Sequence, residues 1–103
     1  MIAFGTQGRL IPMSAKIERR VDFLPKFRED LAWWVKNDRQ AALKTLELVE
    51  SVLADPYAGI GKPEPLRHEF AGCWSRRITR EHRLVYRVTA ERVDFLQARY
   101  HYE

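Results

Sequence analysis

Two apolar stripes at helical spacing, joined by very little chain, constrain this sequence more than any other feature. Pro25 suits the first turn of a helix, where its missing N–H costs nothing, and Phe27, Leu31, Trp34 and Val35 follow at i, i+4, i+7 and i+8. Trp33 falls off this stripe, at its edge. Asp38 is placed to cap a second helix by accepting an orphan N–H of its first turn, and Ala42, Leu46, Val49 and Leu53 form that helix's inward face. Ala54-Asp55-Pro56 ends it, because the residue before a proline avoids the α region. So short a link predicts an antiparallel helical hairpin, and a hairpin with one apolar side requires a sheet to cover.

The remaining periodic segments supply that sheet. In residues 19–24, Val21 and Phe23 alternate with polar neighbours, as a strand buried on one face requires. Beyond a loop over residues 57–65, rich in Gly and Pro, three runs are dense in β-forming residues: 74–78, Arg83–Val88 and 93–100. Residues 66–70 are a candidate for one more. The spacers between the three runs have hairpin length. The expected order is therefore β-α-α followed by three or four antiparallel strands, an α+β fold with the helices on one face of a twisted sheet. Alternation in the run Arg83–Val88 puts Leu84, Tyr86 and Val88, with the preceding His82, toward the helices, and Arg83, Val85 and Arg87 on the open face, within reach of Arg77 on a neighbouring strand. Residues 1–18 show no sustained periodicity and contain two glycines and a proline, so they are read as a flexible extension of a single domain over 19–103.

Charge concentrates in the same region. The net charge is +4, and residues 61–103 hold nine Lys/Arg against six Asp/Glu, while residues 1–60 hold nine against eight. Six arginines, Arg67, Arg76, Arg77, Arg80, Arg83 and Arg87, fall within one short stretch. This predicts an anionic partner, with nucleic acid the leading class. A membrane is a poor fit, because no apolar run approaches the ~20 residues needed to span one and no basic amphipathic helix carries the charge. A lone cysteine, Cys73, excludes an internal disulfide and a Cys-rich zinc site, and no metal is expected. His68 and His82 read as structural. With no signal-peptide pattern at the amino terminus, a cytoplasmic, reducing setting is expected.

Three residue types complete a known chemistry. RNA is cut without a metal when a base takes the 2′-hydroxyl proton, an acid protonates the leaving 5′-oxygen, and cations stabilise the charge at phosphorus. Glu64, held between Pro63 and Pro65, is the candidate base; His101, between Tyr100 and Tyr102, is the candidate acid; Arg83, at a strand position, is the candidate cation. Each also has a plain alternative: a solvated loop carboxylate, an exposed terminal histidine, an arginine in an ion pair. One tyrosine beside His101 is suited to stack on an unpaired base. A non-catalytic binding protein on the same scaffold needs the basic face but not Glu64 and His101 together.

The blocks GIGKPEPL, GCWSRRIT, EHRLVYRV and ARYHY, with FLPKFREDLAWW upstream, closely resemble the YoeB/Txe family of type II toxin-antitoxin toxins, relatives of RelE. The resemblance spans roughly Arg19 to Tyr102. It implies a barnase-like microbial ribonuclease fold, cleavage of mRNA in the ribosomal A site without a cofactor, a YefM/Phd-type antitoxin as partner, and compatibility with a homodimer. It also implies roles: Glu64 as general base, His101 as general acid, Arg83 stabilising the phosphate in the transition state, Tyr102 orienting substrate and catalytic groups, and Arg67, Arg77 and Lys62 binding substrate. A gyrase-poison or inactive relative on the same fold is the alternative. The chain departs from the family in its first 18 residues, in Cys73 where an aromatic is common, in Arg67 where lysine is usual, and in Glu103 after the customary terminal tyrosine.

Overall fold

The structure, a computed structural model, describes residues 2–4, 10–12 and 18–100. Within the amino-terminal stretch, β1 (Ile2–Phe4) and β2 (Leu10–Pro12) pair antiparallel as a small sheet of their own. The main body runs β3 (Arg20–Phe23), α1 (Pro25–Asn37), α2 (Arg39–Ala54), β4 (Glu64–Pro65), β5 (Cys73–Arg77), β6 (Arg83–Val88) and β7 (Arg92–Gln97), with sheet order β3-β7-β6-β5-β4. β4, β5, β6 and β7 pair antiparallel in succession, and β3 joins parallel to β7. This is the expected α+β fold, with two helices packed on one face of a five-stranded sheet. None of the described helices is long and apolar enough to cross a membrane.

The helical hairpin forms for the reasons the sequence supplies. Pro25 lies in the first turn of α1, and the Asp38 carboxylate accepts the Ala41 N–H at 3.2 Å, capping α2 one residue after α1 ends. Its buried face differs from the expected one. Val35, Leu46 and Leu53 are exposed, whereas Asp30, Ala41, Thr45, Leu48 and Val52 join Phe27, Trp34, Ala42 and Val49 inside. Because α2 carries aliphatic residues on more than one side, periodicity alone admits a rotated stripe. The polar intruders are satisfied: Thr45 Oγ1 donates to the Ala41 carbonyl at 2.8 Å, and Asp30 accepts from Lys26 and from the Ala98 N–H. Against this face the sheet places Leu84, Tyr86, Val93 and Phe95.

Two strand expectations are corrected. Residues 66–70 do not form a strand: pairing is confined to Glu64–Pro65, followed by a 3₁₀ turn at His68–Phe70. Pro65 has no N–H to donate, so only a short edge strand forms before the chain turns away. β7 stops at Gln97 rather than continuing to residue 100. Ala98 is instead captured by α1, donating its N–H to Asp30 Oδ2 at 2.9 Å and accepting from Trp34 Nε1 at 2.6 Å. His82 lies in the turn before β6 rather than within the strand.

Candidate active site

A buried arginine shapes the loop that delivers Glu64. Alternation in β5 sends Arg76 to the helix side of the sheet, where it is fully buried. Its guanidinium donates to Tyr86 Oη at 3.0 Å, Ser51 Oγ at 2.7 Å and the carbonyls of Ile60, Asp55 and Ala58 at 3.1, 2.7 and 3.1 Å. Tyr86 in turn donates to the Pro56 carbonyl at 2.7 Å. A loop too short and polar to make a core of its own is thus wrapped around one cation. Close approach requires glycine: a Cβ on Gly59 would collide with Ser51 Oγ and meet Arg76 Nη1 at 2.8 Å, and Gly61, at φ 84°, would place one 2.5 Å from Leu48 Cδ2. Gly61 then accepts the Arg77 N–H at 2.7 Å, stitching the loop to the end of β5 three residues before Glu64. Arg76, counted in the basic cluster, is therefore a structural clamp and not part of an anion-binding surface.

On the opposite face, strand register brings the chemistry together. Glu64 pairs with Ser75, and Arg77 pairs with Arg83, so these side chains share one side of the sheet. Arg83 Nη1 donates to Glu64 Oε1 at 2.9 Å and to Ser75 Oγ at 3.1 Å. The Arg83 side chain is one-fifth exposed and Glu64 more than half, so the guanidinium is the fixed member of the pair. The hydrogen bond from Arg83 holds the Glu64 carboxyl below its ordinary range; partial burial opposes this, and the charges of Arg83, Arg77 and Lys62 reinforce it. Lys62 and Arg77 are exposed, and no ion pair involves either among the described residues. Arg87, also on this face, is engaged by Asp94 at 3.2 Å, an aspartate shared with Arg92 at 3.0 Å. Arg67 lies exposed at the start of the 3₁₀ turn.

The carboxy-terminal segment approaches the same place through its backbone. The Arg83 N–H donates to the Tyr100 carbonyl at 2.8 Å, and the Tyr100 N–H donates to His82 Nδ1 at 2.7 Å. Tyr100 sits at φ 65°, a left-handed conformation that costs a non-glycine residue of order 1–3 kcal/mol. Contacts on both of its polar groups offset that cost. His101 and Tyr102 lie outside the described residues; the residue that precedes them is tied to the backbone of Arg83.

Of the expected site residues, the structure gathers Glu64 and Arg83 in direct contact, with Arg77 and Lys62 close enough to act on the carboxylate. Ser75 and His82 take part in this arrangement and were not anticipated. Ser75 was legible, since alternation in β5 puts it on the side of Arg77; the His82 contact depends on a turn that alternation does not describe. An ionised carboxylate beside a fixed guanidinium, with the exposed cations Arg77 and Lys62 close by, is equipped to bind a phosphate and accept a proton next to it.

Comparison with known proteins identifies the family. Residues 23–102 match the family of the YoeB-like toxin of bacterial type II toxin-antitoxin system. The chain is 50% identical to Toxin YoeB of Mycobacterium bovis over 84 residues, which is 82% of this chain and 99% of that protein. It is 46% identical to Toxin YoeB of Escherichia coli over 74 residues, 72% of this chain and 88% of that one. Among solved structures, a YoeB/ParE toxin from Agrobacterium tumefaciens superposes with a TM-score of 0.76 at 39% identity, covering 81% of this chain and 99% of that one. A YoeB-YefM complex from Staphylococcus aureus gives 0.71 at 36% identity, covering 82% and 99%. With the match spanning the helical hairpin, the loop clamped by Arg76 and the strands that carry Glu64 and Arg83, this chain belongs to the YoeB-like toxins of bacterial type II toxin-antitoxin systems.

Proposed function

We propose that the protein is an endoribonuclease that cleaves mRNA on the ribosome without a metal, using Glu64 as base, Arg83 as the phosphate-binding cation and His101 as acid. The observation that carries this reading is the 2.9 Å contact between Arg83 and Glu64 on the open face of the sheet. Glu64 takes the proton of a 2′-hydroxyl, the 2′-oxygen attacks phosphorus, the bond to the 5′-oxygen breaks, and His101 gives that oxygen its proton. The products are a 2′,3′-cyclic phosphate and a 5′-hydroxyl. A phosphate that draws Arg83's donors weakens the hydrogen bond that depresses Glu64, so substrate binding itself makes the carboxylate a better base. Arg67, Arg77 and Lys62 bind the RNA backbone, and Tyr102 orients substrate.

In this reading residues 19–103 are the toxin unit, residues 1–18 an extension, and the site of action the cytoplasm. An antitoxin of the YefM/Phd type neutralises it, the acidic segment of the antitoxin meeting the basic face. The staphylococcal relatives described as a YoeB dimer and as a YoeB-YefM complex support both self-association and such a partner.

The test is cleavage of a defined mRNA on programmed ribosomes in the presence of EDTA, with the product ends mapped. The expected result is a cyclic or 3′-phosphate and a 5′-hydroxyl, with the rate reduced at least about 100-fold in Glu64→Ala, Arg83→Ala and His101→Ala. Intact mRNA, or variants as toxic in cells as the parent chain, overturns the proposal in favour of a toxin that acts by binding alone.

A further inference from the structure

His82 makes a contact that neither the fold nor the cleavage chemistry requires of a histidine. Its Nδ1 accepts the Tyr100 N–H at 2.7 Å, so in the neutral ring the proton sits on Nε2. The ring packs nearly perpendicular to that of Trp34, with centroids 4.9 Å apart, and its centroid lies 5.5 Å from that of Tyr100. Its backbone is fixed as well: the His82 N–H donates to Thr79 Oγ1 at 3.1 Å, and its carbonyl accepts from Ile78 and Thr79 at 2.9 and 3.2 Å. The acceptor atom is therefore placed by the β5–β6 turn and by α1 before the carboxy terminus arrives.

Tyr100 is the last described residue before His101, and both of its backbone polar groups are bound, one to the His82 ring and one to the Arg83 N–H. Upstream, Ala98 is gripped by Asp30 and Trp34. Tyr100 itself is held in a left-handed conformation at the end of this clamp. The turn residue and the proposed phosphate-binding arginine are adjacent in sequence, so one short segment, His82-Arg83, holds both the cation and Tyr100.

We infer that His82 is a positioning residue: through its Nδ1 it holds Tyr100 in the left-handed turn against the backbone of Arg83, and cleavage at the Glu64–Arg83 site depends on that hold. This rests on the cleavage mechanism proposed above. It requires an acceptor at the Nδ1 position, and it gives His82 no part in proton transfer.

The experiment compares the full chain with His82→Phe, which keeps a ring against Trp34 but removes the acceptor, and His82→Asn, whose amide oxygen restores one. Three quantities are measured: thermal stability, hydrogen-exchange protection of the Tyr100 amide, and kcat and KM for mRNA cleavage on ribosomes. In His82→Phe, folding is retained, Tyr100 protection is lost and kcat falls about 10- to 100-fold with KM changed less than about threefold, the range a displaced catalytic group produces. In His82→Asn, protection and kcat recover together. Wild-type kcat in His82→Phe, or a fall in kcat while the Tyr100 amide stays protected, overturns the inference. If the parent chain itself does not cleave mRNA, the cleavage mechanism fails on its own, while the exchange measurement still judges the tether.

Discussion

Arg83 Nη1 lies 2.9 Å from Glu64 Oε1, and this contact joins the centre of the sheet to its edge. β4 is only two residues long, so Glu64 owes its place less to strand pairing than to the loop behind it and the guanidinium in front of it. Both halves of that arrangement can be tested.

Arg83→Met is expected to raise the Glu64 pKa toward its ordinary value of 4.5, although the charges of Arg77 and Lys62 keep it from returning fully. The folded carboxyl titrates below the unfolded one, so the pairing stabilises the fold above the unfolded pKa, and that contribution is lost as pH falls through the lowered folded value. Glu64 is largely exposed, and solvent screening keeps the stability effect small. A carbon-detected NMR titration of the Glu64 carboxyl in both proteins measures the shift. An unchanged pKa removes the guanidinium as its cause.

Arg76→Met is expected to destabilise the protein by at least about 3 kcal/mol, since the buried Tyr86 hydroxyl, the Ser51 hydroxyl and several loop carbonyls lose a charged donor and each unsatisfied buried group costs about 1–3 kcal/mol. Urea unfolding monitored by tryptophan fluorescence gives the value. A loss under 1 kcal/mol means that water replaces the guanidinium and the clamp is not what holds the loop.

Gly61→Ala is expected to cost about 1–3 kcal/mol and to lower cleavage more than stability. The added methyl meets Leu48 at a left-handed φ, and relief of that contact moves the loop that carries Glu64. Comparing Tm with the cleavage rate at a temperature where the variant is fully folded separates the two effects.

Asp30→Ala leaves the buried Ala98 N–H without an acceptor and is expected to cost about 1–3 kcal/mol more than Asp30→Asn, which keeps one. Lys26, the other partner of Asp30, is half exposed and is solvated in either variant. Equal stabilities of the two variants on thermal unfolding would show that Ala98 finds another partner.

Local chemistry made the elements legible. Proline at the start of α1, Asp38 between the helices and the β-rich runs act over a few residues, and they yield the same helices and central strands wherever the chain goes. The open-face arginines were legible too, because alternation along a strand has a fixed period. Family blocks around Glu64 and Arg83 pointed to the two residues that the structure brings into contact.

Tertiary structure decided the rest, because the deciding interactions join residues far apart in the chain. Arg76 and Arg83 are the same residue type on neighbouring strands; one became a buried clamp for the loop over residues 55–60, and the other the cation beside Glu64. Strand parity separates them, but only the folded loop gives Arg76 its carbonyls. The rotation of α2, which leaves Leu46 and Leu53 outside and takes in Thr45 and Leu48, depends on what the sheet presents. The end of β7 depends on Asp30 and Trp34 reaching across from α1. By itself the sequence determined which residues are able to carry the chemistry; the packing of helix, turn and strand determined which of them meet, since a hydrogen bond of 2.9 Å is set by coordinates and not by composition.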